Sequence, residues 1–217
     1  MPQALHEKVA PAVRPGRPRR FESEDELRLL LDAALVVMER NGYADAAVAD
    51  ILREAELSTR SFYRHFESKD QLLCALCRRE AEGALVRLAA RVGAAVTPRA
   101  ALDAWIDEVM SFGHQRAKAV RVSVLSSPGA MKAEGYAEET QHATRLLMAP
   151  LEQLLANGVA DGSFPLADPA ADAPLIQSMA WAAAGLSPMQ ERALSRLEAT
   201  RRVRSFCERA LGATPFR

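Results

Sequence analysis

At 217 residues, 49% of them hydrophobic, the chain can bury a substantial core and divide into one small and one medium unit. Its 28 basic and 28 acidic residues cancel, so net charge drives no attraction to a polyanion and any nucleic-acid partner must be met by local charge. Apolar runs are broken by charge well short of the ~20 residues a membrane span needs, and the N-terminus lacks the apolar centre of a secretory signal, so the expected setting is the cytoplasm and no membrane partner is expected.

In chain order, the first feature is a basic run, Arg14-Pro-Gly-Arg-Pro-Arg-Arg20, without an acid. Its glycine and prolines keep it extended. Gly16-Arg17-Pro18 looks like the core of an AT-hook, whose arginine enters the narrow minor groove of A·T-rich DNA, with Arg19 and Arg20 beside it. A tail whose arginines only aid solubility is the other reading, and both leave residues 1–22 as a disordered arm without DNA. Ser23-Glu24-Asp25-Glu26 reads as a capping box opening a first helix, and Asn41-Gly42 as its stop.

The segment Val48 to Asp70, VADILREAELSTRSFYRHFESKD, carries the most information. Val48, Ile51, Leu52 and Ala55 recur at three- and four-residue spacing, which gives one apolar face to a helix of two turns. Ser58 then serves as N-cap of a second helix, on which Phe62 and Phe66 face inward with Leu57. Thr59, Arg60, Ser61, Tyr63, Arg64 and His65 are placed on the outward side, a donor-rich face suited to base edges and phosphates in a major groove. This is a helix-turn-helix pattern. Ser68 and Gln71 form a capping box for the next helix, and Lys69 at that helix start runs against the dipole, for which a phosphate partner is the explanation offered here.

That fourth helix runs from Ser68 past Arg91 and links the DNA-binding unit to the rest, and Gly93 to Pro98 separates it from a helix whose stripe is Leu102, Trp105, Ile106, Val109 and Phe112. The stripe reads first as core; Trp105, Met110, Phe112 and His114 are the candidates for a ligand pocket wall. Ser126-Ser127-Pro128-Gly129 breaks the chain, a long helix follows toward Leu155 with a kink expected at Pro150, and two helices, about 168–187 and 188–211, close it. Nothing alternates with strand periodicity, so the fold class is all-α.

The runs LLLDAALVVMERNGY (Leu29–Tyr43) and ILREAELSTRSFYRHFESKDQLL (Ile51–Leu73) resemble the TetR family of one-component transcriptional regulators. The resemblance implies an N-terminal three-helix DNA-binding domain (23–67) followed by a larger helical domain (68–217) for effector binding and dimerisation. By position it makes Ser58, Thr59, Arg60, Ser61, Tyr63, His65 and Lys69 the DNA surface, and it implies a homodimer built on the last two helices, where Met179-Ala-Trp-Ala-Ala-Ala-Gly185 offers small residues for close approach. Ordinary packing within one protomer would use the same residues. Two positions depart from the family pattern: Glu56 stands where glycine is common in the turn, and Ala46, Ala47 and Val48 stand where a Ser or Thr cap is usual, which leaves Asp45 as the expected cap.

The function expected is therefore a ligand-responsive repressor, released from a double-stranded DNA operator by a small molecule. Two alternatives stay open. Cys74 and Cys77 form a C-x-x-C pair that a redox or metal sensor would use, although no second pair completes a metal set; and an architectural DNA-binding protein would rely on the arginine arm alone. His6, His65, His114 and His142 are scattered and no phosphate-binding glycine loop or nucleophile motif is present, so no catalytic residue, metal site or cofactor is expected.

Overall fold

The computed structural model describes residues 23–186 and 194–213; Arg17, Arg19 and Arg20 of the basic arm lie outside the described residues. Within the described residues all regular structure is helical, as the periodicity predicts. The elements are α1 (Ser23–Asp45), α2 (Val48–Ala55), α3 (Thr59–His65), α4 (Lys69–Gly93), α5 (Pro98–His114), α6 (Arg116–Leu125), α7 (Tyr136–Ala160), α8 (Pro169–Ala183) and α9 (Arg196–Ala210), with a 3-10 turn, Ala130–Lys132, before α7. No helix among them is long and apolar enough to cross a membrane.

Local chemistry sets most boundaries. Ser58, Ser68, Thr97, Asp168 and Ser195 each accept a hydrogen bond from the third residue of the helix they open, satisfying a backbone donor that has no partner within the helix. The turn after α2 is closed by Glu56 in the left-handed region (φ 52°, ψ 37°). The Glu56 N–H donates to Arg53 O and the Leu57 N–H to Leu52 O, the Schellman pattern that glycine normally permits.

Four boundaries correct the sequence reading. Asn41-Gly42 is a kink rather than a stop: Gly42 adopts φ 76°, ψ 161°, and helical structure resumes to Asp45. Asp45 does not cap α2, because α1 reaches it; the N-cap is Ala47, whose methyl group accepts nothing. Glu26 does not complete a capping box, because its carboxylate is buried and turned toward α3. The penultimate helix ends at Ala183, and the last begins at Arg196 rather than near 188.

Two apolar clusters result. One joins Leu30, Met38, Ile51, Phe62, Leu72 and Leu76 from α1 to α4, and extends to Ala130 and Tyr136 at the start of α7. The other joins Leu88 of α4 to Trp105, Ile106, Leu155, Ile176 and Val203 from α5, α7, α8 and α9. The clusters divide along α4, not at its first residue, so α4 belongs to both. In the second cluster α5 and α8 approach so closely that a Cβ at Gly113 would stand 1.8 Å from Ala184 O.

The uncapped start of α2 gives a direct test. Ala47→Ser should raise stability by ~1 kcal/mol, as its hydroxyl accepts from Asp50 N–H, which corresponds to ~2–4 °C in Tm for a chain of this size. Thermal or urea denaturation checks it, and an unchanged or lowered midpoint would show that the backbone at Ala47 cannot present a cap.

Candidate nucleic-acid interface and an internal cavity

α3 presents a short polar surface. Ser58, Thr59 and Arg60 at its start are exposed, and Tyr63, one turn on, is 63% exposed with its ring edge against Phe62 (centroids 5.3 Å apart). Phe62 and Phe66 anchor the opposite side in the core. The helix is thus held by its aromatic face and displays its N-terminal polar face, the arrangement the three- and four-residue spacing predicts.

Four residues expected to meet DNA have other surroundings. Ser61 is buried; its hydroxyl lies 3.1 Å from Ser58 Oγ within the cap itself. Arg64 donates to Glu26 Oε2 at 2.8 Å, and His65 Nε2 lies 3.5 Å from the same oxygen, so both turn back toward α1. The Lys69 ammonium donates to Tyr43 O (2.9 Å) and Ala44 O (3.1 Å) and sits 4.5 Å from the Tyr43 ring centroid. The C-terminal carbonyls of α1 therefore account for a lysine at the start of α4, with no phosphate required.

Beside Lys69, Asp70 ties three segments together. Its carboxylate accepts from the Tyr43 hydroxyl of α1 and, at 2.9 Å, from the Glu134 N–H before α7. The Tyr43 hydroxyl and the Glu134 N–H hold the Asp70 carboxyl below its ordinary pKa, and burial together with Asp70 raises that of Tyr43. Arg78 of α4 pairs with the buried Glu139 of α7 one turn further.

Cys74 and Cys77 lie on consecutive turns of α4. Cys74 Sγ is 3.5 Å from Glu134 O, and Cys77 is buried. Burial pushes the Cys77 thiol up to about 12, and burial with Glu139 and Asp70 raises Cys74, the reverse of the lowered pKa that makes a thiol reactive. No group of three or more His, Cys, Asp or Glu residues among the described residues is arranged to hold a metal ion.

A half-open cavity of about 180 Å³ lies between α4, α6 and α7. Ala81, Ala84, Val122, Leu125 and Leu147 give it apolar walls, and Phe112 and Trp181, with ring centroids 6.0 Å apart, close one end. Glu80, Arg87, Lys118 and Arg121 stand around it. Of the four residues predicted to wall a pocket, Phe112 lines this cavity. Trp105 and Met110 do not: both are buried in the second core. His114 is held at a helix junction, its ring nitrogens 2.9 Å from Met110 O and 3.1 Å from Leu194 O. The α6 contribution escaped the sequence reading because that helix has no buried residue and hence no apolar stripe.

Comparison with known proteins places this geometry. Residues 30–76 match the profile of the family "Bacterial regulatory proteins, tetR family". No curated protein sequence matches the chain. Among solved structures, FadR from Bacillus subtilis in complex with stearoyl-CoA is 16% identical, with a TM-score of 0.70 over 84% of this chain and 98% of that one. NemR from E. coli in its reduced form is 19% identical, with a TM-score of 0.69 over 88% and 100%. A putative regulator from Saccharomonospora viridis in complex with choline is 19% identical, with a TM-score of 0.70 over 86% and 97%. Residues 30–76 thus form a helix-turn-helix of the tetR-family type, set ahead of a larger helical unit. Beyond residue 76 the likeness to these regulators is one of fold.

Two measurements follow. Asp70→Asn should lower stability at neutral pH, and the gap to the wild-type chain should close as pH falls, because a carboxylate with a depressed folded pKa contributes above its unfolded pKa and loses that contribution on protonation, between about pH 5 and 2. A gap independent of pH would remove the charge of Asp70 from the account. In the native protein at pH 8.5, alkylation of Cys77 should be at least ~100-fold slower than in denaturant, since a pKa near 12 leaves little thiolate; native reactivity close to the unfolded rate would restore the redox-sensor alternative.

Proposed function

We propose that the protein is a ligand-responsive repressor that binds its operator as a two-fold dimer. The observation that carries this reading is the pairing of the exposed α3 face with a cavity whose wall, through Arg121 of α6, is ion-paired to the DNA-binding unit. Arg121 Nη1 donates to Glu80 of α4 at 3.2 Å, and its Nε lies 3.8 Å from Glu39 of α1. An occupant that moved α6 would pull on α1 and α4 together, and with them on α3. Such a ligand lowers operator affinity when it prefers the DNA-incompetent state; ~100-fold preference amounts to ~2.7 kcal/mol.

On the DNA side, Ser58, Thr59, Arg60 and Tyr63 are the residues placed to meet the duplex, while Arg64 and His65 orient α3 through Glu26 and Ser61 through the cap. Lys69 braces α1 against α4. The unit comprises residues 23–67 with the first half of α4, and the remainder serves effector binding and dimerisation. A second copy suits the outer face of α8 and α9, where Leu175, Leu197 and Phe206 are exposed beside the groove lined by Met179 and Val203. That regulators of this fold have been crystallised with stearoyl-CoA and with choline supports a ligand-responsive reading, and because those ligands differ in charge the likeness does not choose the effector.

Selection of bound sequences from a random duplex pool at fixed salt should enrich a palindrome with half-sites about one helical turn, ~34 Å, apart. On that operator Arg60→Ala should relax preference at particular base pairs by ~1–3 kcal/mol, and Tyr63→Ala should weaken specific and random DNA alike. Equal losses on specific and random DNA for Arg60→Ala would overturn its base-reading role, and enrichment of A·T-rich sequence alone would favour the architectural reading.

A further inference from the structure

The cavity that the proposed function assigns to the effector has an uneven charge around apolar walls. Three cations, Arg87, Lys118 and Arg121, face one carboxylate, Glu80. Part of that charge is answered from behind by Glu108, which is buried and shared among three cations: Lys118 at 2.6 Å, Arg91 at 3.2 Å and Arg87 at 3.7 Å. Four cations, Arg87, Arg91, Lys118 and Arg121, thus share three carboxylates, Glu39, Glu80 and Glu108, which leaves the site one negative charge short. Arg121 adds a second observation. Its Nε is sealed from solvent and has no hydrogen-bond acceptor among the described residues, Glu39 Oε1 at 3.8 Å being out of reach. The rest of the side chain is 43% exposed and lines the cavity, so an incoming anion meets the terminal nitrogens of Arg121, where a charge-assisted hydrogen bond can form.

Size and shape limit the rest of the ligand. An apolar cavity of ~150 Å³ accommodates benzene, and the volume here is about 180 Å³, enough for one ring or a short alkyl chain. The aromatic end does not favour a cationic ligand, because the Lys118 ammonium already stands 5.3 Å from the Phe112 ring centroid.

We propose that this cavity binds a small amphipathic carboxylate, its single ring or short chain among Ala81, Ala84, Val122 and Leu147 and its carboxylate on Arg121. This rests on the effector reading and deepens it. A ligand carboxylate on Arg121 competes with Glu80 and Glu39 for the same guanidinium, and so loosens the attachment of α6 to α1 and α4 as it binds.

Three probes of nearly equal shape separate charge from size: phenylacetate, phenylacetamide and 2-phenylethylammonium, titrated into the full-length chain by calorimetry and by fluorescence of Trp181 at the cavity wall. Phenylacetate should bind at least ~10-fold more tightly than either congener, as expected for loss of a charge-assisted hydrogen bond. Arg121→Gln should remove that preference and leave the phenylacetamide affinity unchanged. Val122→Phe, which fills the cavity and keeps every ion pair, should abolish binding of all three. Equal affinity for the amide or the ammonium, no binding of any probe, or an Arg121→Gln variant that keeps the preference would each overturn the carboxylate assignment, and tighter binding of hexadecanoate would overturn the size limit. If phenylacetate binds as stated but leaves affinity for the selected operator unchanged, the ligand class stands and the effector reading fails.

Discussion

A single unbroken helix, α4, imposes the main constraint on this molecule. Leu72, Leu73 and Leu76 near its start are buried with the helix-turn-helix, and Leu88 near its end is buried with the larger bundle. Sixteen residues separate Leu72 from Leu88, ~24 Å along an α-helix. Each cluster loses apolar contacts if α4 leaves it, so neither can shift relative to α4 without repacking, and the two report to each other through a rod that bends little. The polar contacts of α4 fall between these anchors: Lys69 and Asp70 hold the end of α1, Asp70 also holds the turn before α7, and Arg78 holds α7 itself.

This arrangement separates two uses of positive charge that look alike on paper. Arg60 on α3 is exposed, and Arg64 four residues later, though also exposed, is tied to the buried Glu26 of α1. At the cavity the Lys118 ammonium is drawn to Glu108 and Ser111, and Arg121 is held by Glu80 through Nη1 while its Nε lacks a hydrogen-bond acceptor. Partner geometry, which spacing does not encode, decides which cation is spent within the fold and which can meet a ligand.

Much of the first cluster was legible because it rests on short-range signals. The serines at 58 and 68 cap the helices they were assigned to cap, and the apolar spacing of Ile51, Leu52 and Ala55 and of Phe62 and Phe66 gave the buried faces. The errors share a physical origin in contacts between residues far apart in sequence. Lys69 looked unexplained at a helix start because the Tyr43 and Ala44 carbonyls that receive it are about twenty-five positions away, and Glu26 looked like a cap because Arg64 was out of view. Trp105 and Phe112 belong to one stripe by spacing, yet they are seven residues apart and face different neighbours, core for one and cavity for the other. The cavity itself depends on α6, whose sequence carries no periodic apolar signal.

Gly113 bears on which parts of the bundle move. Because a Cβ there would run into the backbone carbonyl of Ala184, α5 and α8 mesh like a tooth in a notch. Sliding α5 by one turn would bring Val109 to the same carbonyl, where its side chain does not fit. The pair therefore keeps one register and acts as a stator, with the α8 and α9 surface fixed to it. Motion set off in the cavity is left to the helices on its other sides, α4, α6 and α7, so the reading heads would swing against a stationary base.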